Sequence, residues 1–465
     1  MDKFAMIPQP VSAEADGGRV KIEAKYSCEN GTFLQAAEVL ADAMDRLLGL
    51  RLLPGEGGIV FALDEKLGCD EYEIRIGEGC AVFAGGEEGA GYAAATIAQL
   101  AAAEEKNLVL PAGLIHDKPQ SQWRGLMVDL ARDWHPVQYL FRYVDLCWMY
   151  KINRFQLHFT DDQSFTLPSK AYPMLCTPGR TYTAAELKLL AEYAAKRGVM
   201  LVPEIDFPGH SGQFNAKCPE VFGGNGILCC EEKTFAAIDT LLEEIFEIFP
   251  DAPYIHIGGD EAKIANWDEC PGCVAYREEK GLPDVHALYA HYVDRLAKMV
   301  LAKGKTPIAW EGFAKEYNDM VTKDLILFAW ENYYQPAPDL AEGGFTLINA
   351  SWKPNYICTP KTMWPREEIL QWNPYRWTHW WKNSKAYNTW LTVPAETKVL
   401  GGQLCAWGDC LVDAVNNYES AAEEFARVAE RLPAVAERTW QHAGEVAEDA
   451  VWDAVAEKAA RLTGI

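Results

Sequence analysis

His256-Ile257-Gly258-Gly259-Asp260-Glu261-Ala262 places two adjacent carboxylates directly after a short apolar run. At the end of a strand, neighbouring side chains point in different directions, so Asp260 and Glu261 would meet different parts of one substrate and take different pKa values. One then serves as a proton donor and the other as an electrostatic clamp. An Asp-Glu pair alone is ordinary surface composition. The apolar residues before this pair and the two glycines, which let a ligand approach, set it apart. Other reactive types recur behind similar runs: Asp129 and Arg132; His158 with Asp161 and Asp162; Glu204 with Asp206 and His210; Trp310 and Glu311; Trp330 and Glu331; Tyr356; and Trp407 with Asp409. Aromatic faces stack on the C–H faces of sugar rings, and carboxylates and arginine hydrogen-bond hydroxyls, so this set suggests a carbohydrate. The sequence carries no P-loop, no dinucleotide G-x-G-x-x-G behind a first strand and no H-E-x-x-H, so no cofactor or metal is expected.

The elements that must position these groups are short apolar runs at Gly125–Asp129, Phe155–Thr160, Met200–Ile205, Tyr254–Gly258, Pro307–Trp310, Leu325–Trp330, Phe345–Ala350 and Gln403–Trp407, with helical stretches between them. Eight continuous apolar strands spaced by helices predict a closed parallel (β/α)8 TIM barrel, an α/β fold in which reactive groups sit at the C-terminal strand ends. Thr183 to Gly198 reads as one of the helices, with Thr183 as N-cap, Glu186 completing a capping box and Gly198 as the stop. Before the barrel, alternation at Arg19–Ile22 and Tyr72–Ile76 and helical spacing at Thr32–Leu48 and Gly91–Ala103 predict a small α+β domain over residues 1–118. The barrel is expected over 119–417, and the Ala/Glu-rich residues 418–465 are expected to pack on it as helices.

With 465 residues, 49% of them hydrophobic and 24% charged, the chain has ordinary globular usage and room for more than one domain. Its net charge of −24 disfavours nucleic acid and anionic membranes as partners, since both are polyanions. The first residues lack a basic stretch followed by an apolar one, and thirteen cysteines is an odd, scattered number. Both features point to a reduced, cytoplasmic setting. Cys270-Pro271-Gly272-Cys273 is a lone C-x-x-C, and Cys229-Cys230 has the wrong spacing to complete a zinc site, so these read as structural thiols. Oligomeric state has no signature in the sequence.

Four motifs taken together resemble the β-N-acetylhexosaminidases of glycoside hydrolase family 20: Arg124-Gly125-Leu126-Met127-Val128-Asp129-Leu130-Ala131-Arg132, His158-Phe159-Thr160-Asp161-Asp162-Gln163, Pro203-Glu204-Ile205-Asp206-Phe207-Pro208-Gly209-His210, and the Gly-Gly-Asp-Glu segment. The likeness spans roughly residues 120–415. The resemblance implies a retaining, substrate-assisted mechanism, an exception to the usual two-carboxylate scheme. It would make Glu261 the general acid and then base, Asp260 the clamp on the acetamido N–H, and Tyr356 the donor to the acetamido oxygen, which is the nucleophile. It would pair Asp161 with His210 beside the acid, set Arg132 against the ring hydroxyls O3 and O4, and line the pocket with Trp310, Trp330 and Trp407. The implied partner is a glycan with a terminal β-N-acetylhexosamine. A disaccharide-releasing member of the family and a non-catalytic sugar-binding barrel are the alternatives.

Two positions depart from the family's pattern. Two residues after Tyr356, where an aspartate usually contacts the O4/O6 side of the sugar, stands Cys358, and the second O4/O6 contact, usually glutamate, is the shorter Asp409. Between Trp352 and Trp390 lie seven tryptophans together with Lys353, Lys361, Arg366, Arg376, Lys382 and Lys385 against Glu367 and Glu368. Loss of a carboxylate beside a positive island suggests that 6-O-sulfated N-acetylglucosamine is accepted. The bland reading of the same segment is a Trp-rich loop that packs over the barrel.

Overall fold

The computed structural model describes residues 4–358, 362–411 and 418–465. Eight parallel strands form the barrel: β1 (Trp123–Asp129), β2 (Arg154–His158), β3 (Met200–Glu204), β4 (Tyr254–His256), β5 (Thr306–Trp310), β6 (Ile326–Ala329), β7 (Thr346–Asn349) and β8 (Val399–Ala406). Each pairs with the next, and β8 closes on β1 through Gly401↔Trp123 to Ala406↔Val128. Every residue of β1 is buried, as expected for a strand with helices outside and packed side chains inside. That double burial is why the eight apolar runs could be read from composition. The interior also carries a polar thread, in which Gln403 accepts from the Trp123 indole at 3.0 Å and donates to Gln156 at 2.6 Å.

Local signals set the helices. Thr183 Oγ1 accepts from the Glu186 N–H at 3.2 Å and Glu186 Oε2 accepts from the Thr183 N–H at 2.8 Å, which starts the helix Ala184–Lys196. The helix expected at Gly91–Ala103 runs instead from Glu87 to Leu100, because Ala102–Glu104 pairs antiparallel with the strand Asn107–Asp117. Strand pairing there outweighs the helix propensity of alanine.

The N-terminal domain is one mixed sheet in the order Ser12–Glu23, Asn107–Asp117, Tyr72–Ile76, Cys80–Ala84, Ile59–Leu63, Lys25–Cys28, Leu53–Pro54. It joins the barrel through buried polar groups. Lys151 Nζ, fully buried, reaches Asp117 Oδ2 at 3.0 Å and Tyr72 Oη at 2.7 Å, while Trp440 Nε1 donates to Asp117 Oδ1 at 2.8 Å. Arg124 lies over the Tyr92 and Trp440 rings, 5.0 Å from each centroid, and donates to two backbone carbonyls, so its role is structural.

The helix Tyr418–Trp440 packs on β8 and β1. The last helix, Asp449–Thr463, packs on Leu34–Leu48 of the first domain and Val137–Met149 of the barrel. No helix among the described residues is long and apolar enough to cross a membrane.

Candidate active site

All the residues singled out at strand ends converge at one mouth of the barrel. Asp260 and Glu261 follow β4 through Gly258 and Gly259, with φ of +72° and +99°. A Cβ on Gly258 would lie 1.7 Å from Asp206 Oδ1, so this glycine makes room for Asp206 rather than for a ligand, which corrects the sequence reading. Glu261 itself takes φ +44°, an unusual conformation for a side-chain residue, and its side chain is 55% exposed, whereas that of Asp260 is 9% exposed. The turn therefore sends one carboxylate inward and leaves its neighbour at the surface.

His210 links the pair to the rest of the site. Its Nε2 lies 3.4 Å from both Asp260 Oδ2 and Glu261 Oε2, and its Nδ1 lies 3.3 Å from Asp161 Oδ1. Asp161 Oδ2 receives Arg132 Nη2 at 2.7 Å and His158 Nε2 at 3.1 Å. Arg132 is held by two further carboxylates, Asp129 at 2.9 Å and Asp409 at 3.1 Å, and lies 5.2 Å over the Trp407 ring. Below them the buried Glu204 gathers His158 at 2.8 Å, His256 at 3.0 Å and the Trp310 indole at 2.8 Å. His158 and His256 are thus buried groups that face Glu204, and Asp162 accepts from the Gly212 N–H at 2.8 Å.

These contacts divide the charges. Burial opposes ionisation of Asp161, but the hydrogen bonds from His158 and His210 and the field of Arg132 hold its carboxyl well below the ordinary range. Burial likewise disfavours a charged His210, yet Asp260 and Asp161 hold its pKa well above the usual value, so it is an imidazolium. That cation in turn holds Asp260 ionised against its burial. Asp206, with a carboxylate oxygen within 4.8 Å of an Asp260 oxygen and a His210 ring nitrogen, is driven the other way by burial and by the Asp260 charge, and stays protonated.

The structure brings Trp310, Trp330 and Trp407 together in one aromatic cluster. Trp310 lies 6.3 Å from Trp330 and 5.8 Å from Trp407, and Trp330 stacks on Tyr356 at 6.2 Å and 7°. Tyr356 reaches this cluster because Tyr356–Ile357 extends the sheet beside β8, opposite Cys405 and Ala406. Its hydroxyl faces the Trp407 indole N–H, but neither group completes a hydrogen bond. Asp260 Oδ1 is also buried without a partner. Both atoms lie at the aromatic cluster and have hydrogen-bonding capacity to spare, as do the buried Tyr143 and Tyr292 hydroxyls elsewhere in the fold.

Cys358 stands where expected, its thiol donating to Asp409 Oδ2 at 3.3 Å, while Asp409 Oδ1 faces Arg132. The positive island, in contrast, is dispersed. Lys353 pairs with Glu368 at 2.9 Å and lies over Trp364, Arg366 pairs with Asp449 at 2.6 Å, and Arg376 lies over Trp390. Lys385 donates to the Tyr334 carbonyl, and Lys361 lies outside the described residues. Of the seven tryptophans, Trp372 and Trp377 are core, whereas Trp352 lies 5.9 Å from Trp330 and extends the cluster to Trp380, which is 40% exposed.

Two groups gain a role that the sequence did not assign. Asp206 is the neutral neighbour of Asp260. Glu331, immediately after Trp330, is buried, and burial followed by the charges of Glu261 and Asp260 pushes its carboxyl up to about 8. Its position at a strand end was the available signal.

The family model for the catalytic domain of glycosyl hydrolase family 20 matches residues 122–443, and that for the family's domain 2 matches residues 3–118. The chain belongs to glycosyl hydrolase family 20. The family 20 catalytic match extends through the helix Tyr418–Trp440. Among curated relatives, the Beta-hexosaminidase of Akkermansia muciniphila is 33% identical over 328 residues, covering 63% of this chain and 65% of that protein. The Beta-hexosaminidase subunit beta of Entamoeba histolytica is 29% identical over 359 residues, 69% of this chain and 60% of its own length. The chain thus spans less than two thirds of these relatives. Among solved structures, the exo β-N-acetylglucosaminidase of Vibrio harveyi, solved with N-acetylglucosamine, superposes with a TM-score of 0.83 at 23% identity, covering 99% of this chain and 76% of that one. The β-N-acetylhexosaminidase of Streptomyces coelicolor gives 0.78 at 23% identity, covering 99% and 97%. At that identity these likenesses establish the family 20 fold.

Proposed function

We propose that this protein is an exo-acting, retaining β-N-acetylhexosaminidase that releases terminal β-linked N-acetylglucosamine by substrate-assisted catalysis. One observation carries the reading: Asp260 Oδ1 and Tyr356 Oη are both buried and unpartnered at the cluster of Trp310, Trp330 and Trp407, beside an exposed Glu261. An acetamido group supplies an N–H for the first and a carbonyl oxygen for the second. In the first step the acetamido oxygen bonds to C1 as the C1–O glycosidic bond breaks, and the Glu261 proton passes to the departing oxygen. Asp260, kept ionised by His210, stabilises the positive charge that develops on the acetamido nitrogen. Glu261, now a carboxylate, takes a proton from the water that attacks C1 and reopens the ring. Arg132, fixed in three ion pairs, offers a rigid fork to the sugar hydroxyls. A panel of 4-nitrophenyl sugars tests the assignment: turnover of the N-acetylglucosaminide at least tenfold above the glucoside supports it, and turnover of the glucoside alone sinks it.

The same reading extends to N-acetylglucosamine carrying a 6-O-sulfate. Its support is the neutral Cys358 thiol next to Asp409, where a second carboxylate would repel an anion. Lys353, Arg366, Arg376 and Lys385 add nothing to it, since they are engaged elsewhere. Comparing aryl N-acetylglucosaminide with and without 6-sulfate decides the point, and a strong preference for the unsulfated sugar overturns it.

A further inference from the structure

The four cysteines that sequence spacing left as structural thiols come together in space. Cys229 and Cys230 end the loop after β3, and Cys270 and Cys273 follow the loop after β4. The sulfurs of Cys229, Cys270 and Cys273 all lie within 4.8 Å of one another, with Cys229 Sγ to Cys270 Sγ at 3.6 Å. A tetrahedron with zinc–sulfur bonds of ~2.3 Å has edges of ~3.8 Å, so this spacing suits a shared cation, whereas a disulfide needs ~2.05 Å.

Hydrogen bonding among the sulfurs and burial push the Cys229 and Cys273 thiols up, so it is the cation that would hold them as thiolates. The Cys230 N–H donates to Cys273 Sγ at 3.3 Å. Cys270 and Cys273 open the nine-residue helix Pro271–Glu279, whose N-terminal N–H groups favour negative charge. Space has also been cleared, since Gly223 has φ +89° and a Cβ there would lie 2.5 Å from Cys229 Sγ. Cys229, Cys230, Cys270 and Cys273 are not joined in disulfides.

We propose that Cys229, Cys270 and Cys273 bind a zinc ion as thiolates. Binding expels the thiol protons to solvent and leaves no redox change. The position gives the ion a purpose. The loop after β3 carries His210, and the loop after β4 carries Asp260 and Glu261. The Trp267 indole, between Glu261 and Cys270, already donates to the Leu228 carbonyl at 2.8 Å, and Asn225 and Asn266 exchange side-chain amide bonds with each other's carbonyls. Zinc would clasp the two loops that hold the acid and its histidine in register, and Cys273 and Cys230 anchor that clasp in the core.

The test is the metal content of the full chain, produced in zinc-replete medium and desalted. About one zinc per chain is expected, falling below about a tenth in Cys270→Ser/Cys273→Ser and unchanged in the exposed-site control Cys69→Ser. Exchange with cobalt(II) should give thiolate-to-cobalt charge-transfer absorption that the double variant lacks. Zinc removal from the wild type should lower Tm by several degrees and restore it on zinc return, a readout independent of which sugar is cleaved. A wild-type chain with no zinc and no cobalt charge-transfer band, or one in which mass spectrometry finds a Cys229–Cys270 disulfide instead, overturns the proposal.

Discussion

Replacing Tyr356 with phenylalanine separates activity from stability by sign. The side chain is 3% exposed, and its ring stacks on Trp330 at 7° and lies 5.3 Å from Trp352. Phenylalanine keeps those contacts and removes only a hydroxyl that has no partner. A buried unsatisfied polar group costs about 1–3 kcal/mol, so Tyr356→Phe should be as stable as the wild type or more so, by about 1 kcal/mol. In a chain of this size that is a rise in Tm of about 1–2 °C. The missing donor should nonetheless cost about 1.5–3 kcal/mol in the transition state, where charge develops on the acetamido group. That corresponds to a fall of about 10- to 150-fold in kcat/KM, carried mostly by kcat. Michaelis kinetics on 4-nitrophenyl N-acetylglucosaminide and thermal denaturation of ligand-free protein measure the two effects. A lowered Tm with unchanged kcat/KM would refute the reasoning, because the hydroxyl would then be structural.

Glu261→Gln should lower turnover of chitobiose by about 10²–10⁴ while leaving sugar binding intact, and should cost less with a dinitrophenyl leaving group that needs no acid. Equal losses on both substrates would contradict the acid role. Glu331 has its carboxyl held at about 8 in the fold against ~4.3 in the unfolded chain, so the unfolded state releases its proton first. Stability should therefore fall as pH rises between those values, by as much as about 1.4 kcal/mol per unit, and Glu331→Gln should flatten the decline measured by denaturant titration. Cys358→Asp places a second carboxylate within reach of Asp409, now 3.3 Å from the thiol. Repulsion of about 4 kcal/mol between unit charges ~4 Å apart near a protein surface predicts at least tenfold selectivity lost toward 6-sulfated substrate relative to the unsulfated one.

The barrel was legible because each of its strands is buried on both faces and leaves a continuous apolar run, even where β4 is only Tyr254–His256. The site was legible to the same degree, since barrel geometry turns every strand end into a candidate. Pairings between distant residues were not. Asp206 meets Asp260 only because Gly258 lacks a side chain, and that glycine looked like a ligand's approach path. The thiols of Cys229 and Cys270 are forty-one positions apart, so their spacing in sequence hid a separation of 3.6 Å. The positive island failed for a related reason: a count of charges along the chain does not show that Lys353, Arg366 and Arg376 already have acidic or aromatic partners.

Participation of the substrate's own acetamido oxygen is tested most directly by measuring kcat/KM across 4-nitrophenyl glucosaminides whose N-acetyl group carries none, one, two or three fluorines. Fluorine drains the nucleophilic oxygen, so the rate should fall steeply and steadily along the series. A flat series, with a glycosyl group found covalently attached to the protein, would contradict the pairing of Asp260 and Tyr356 with an attacking acetamido group.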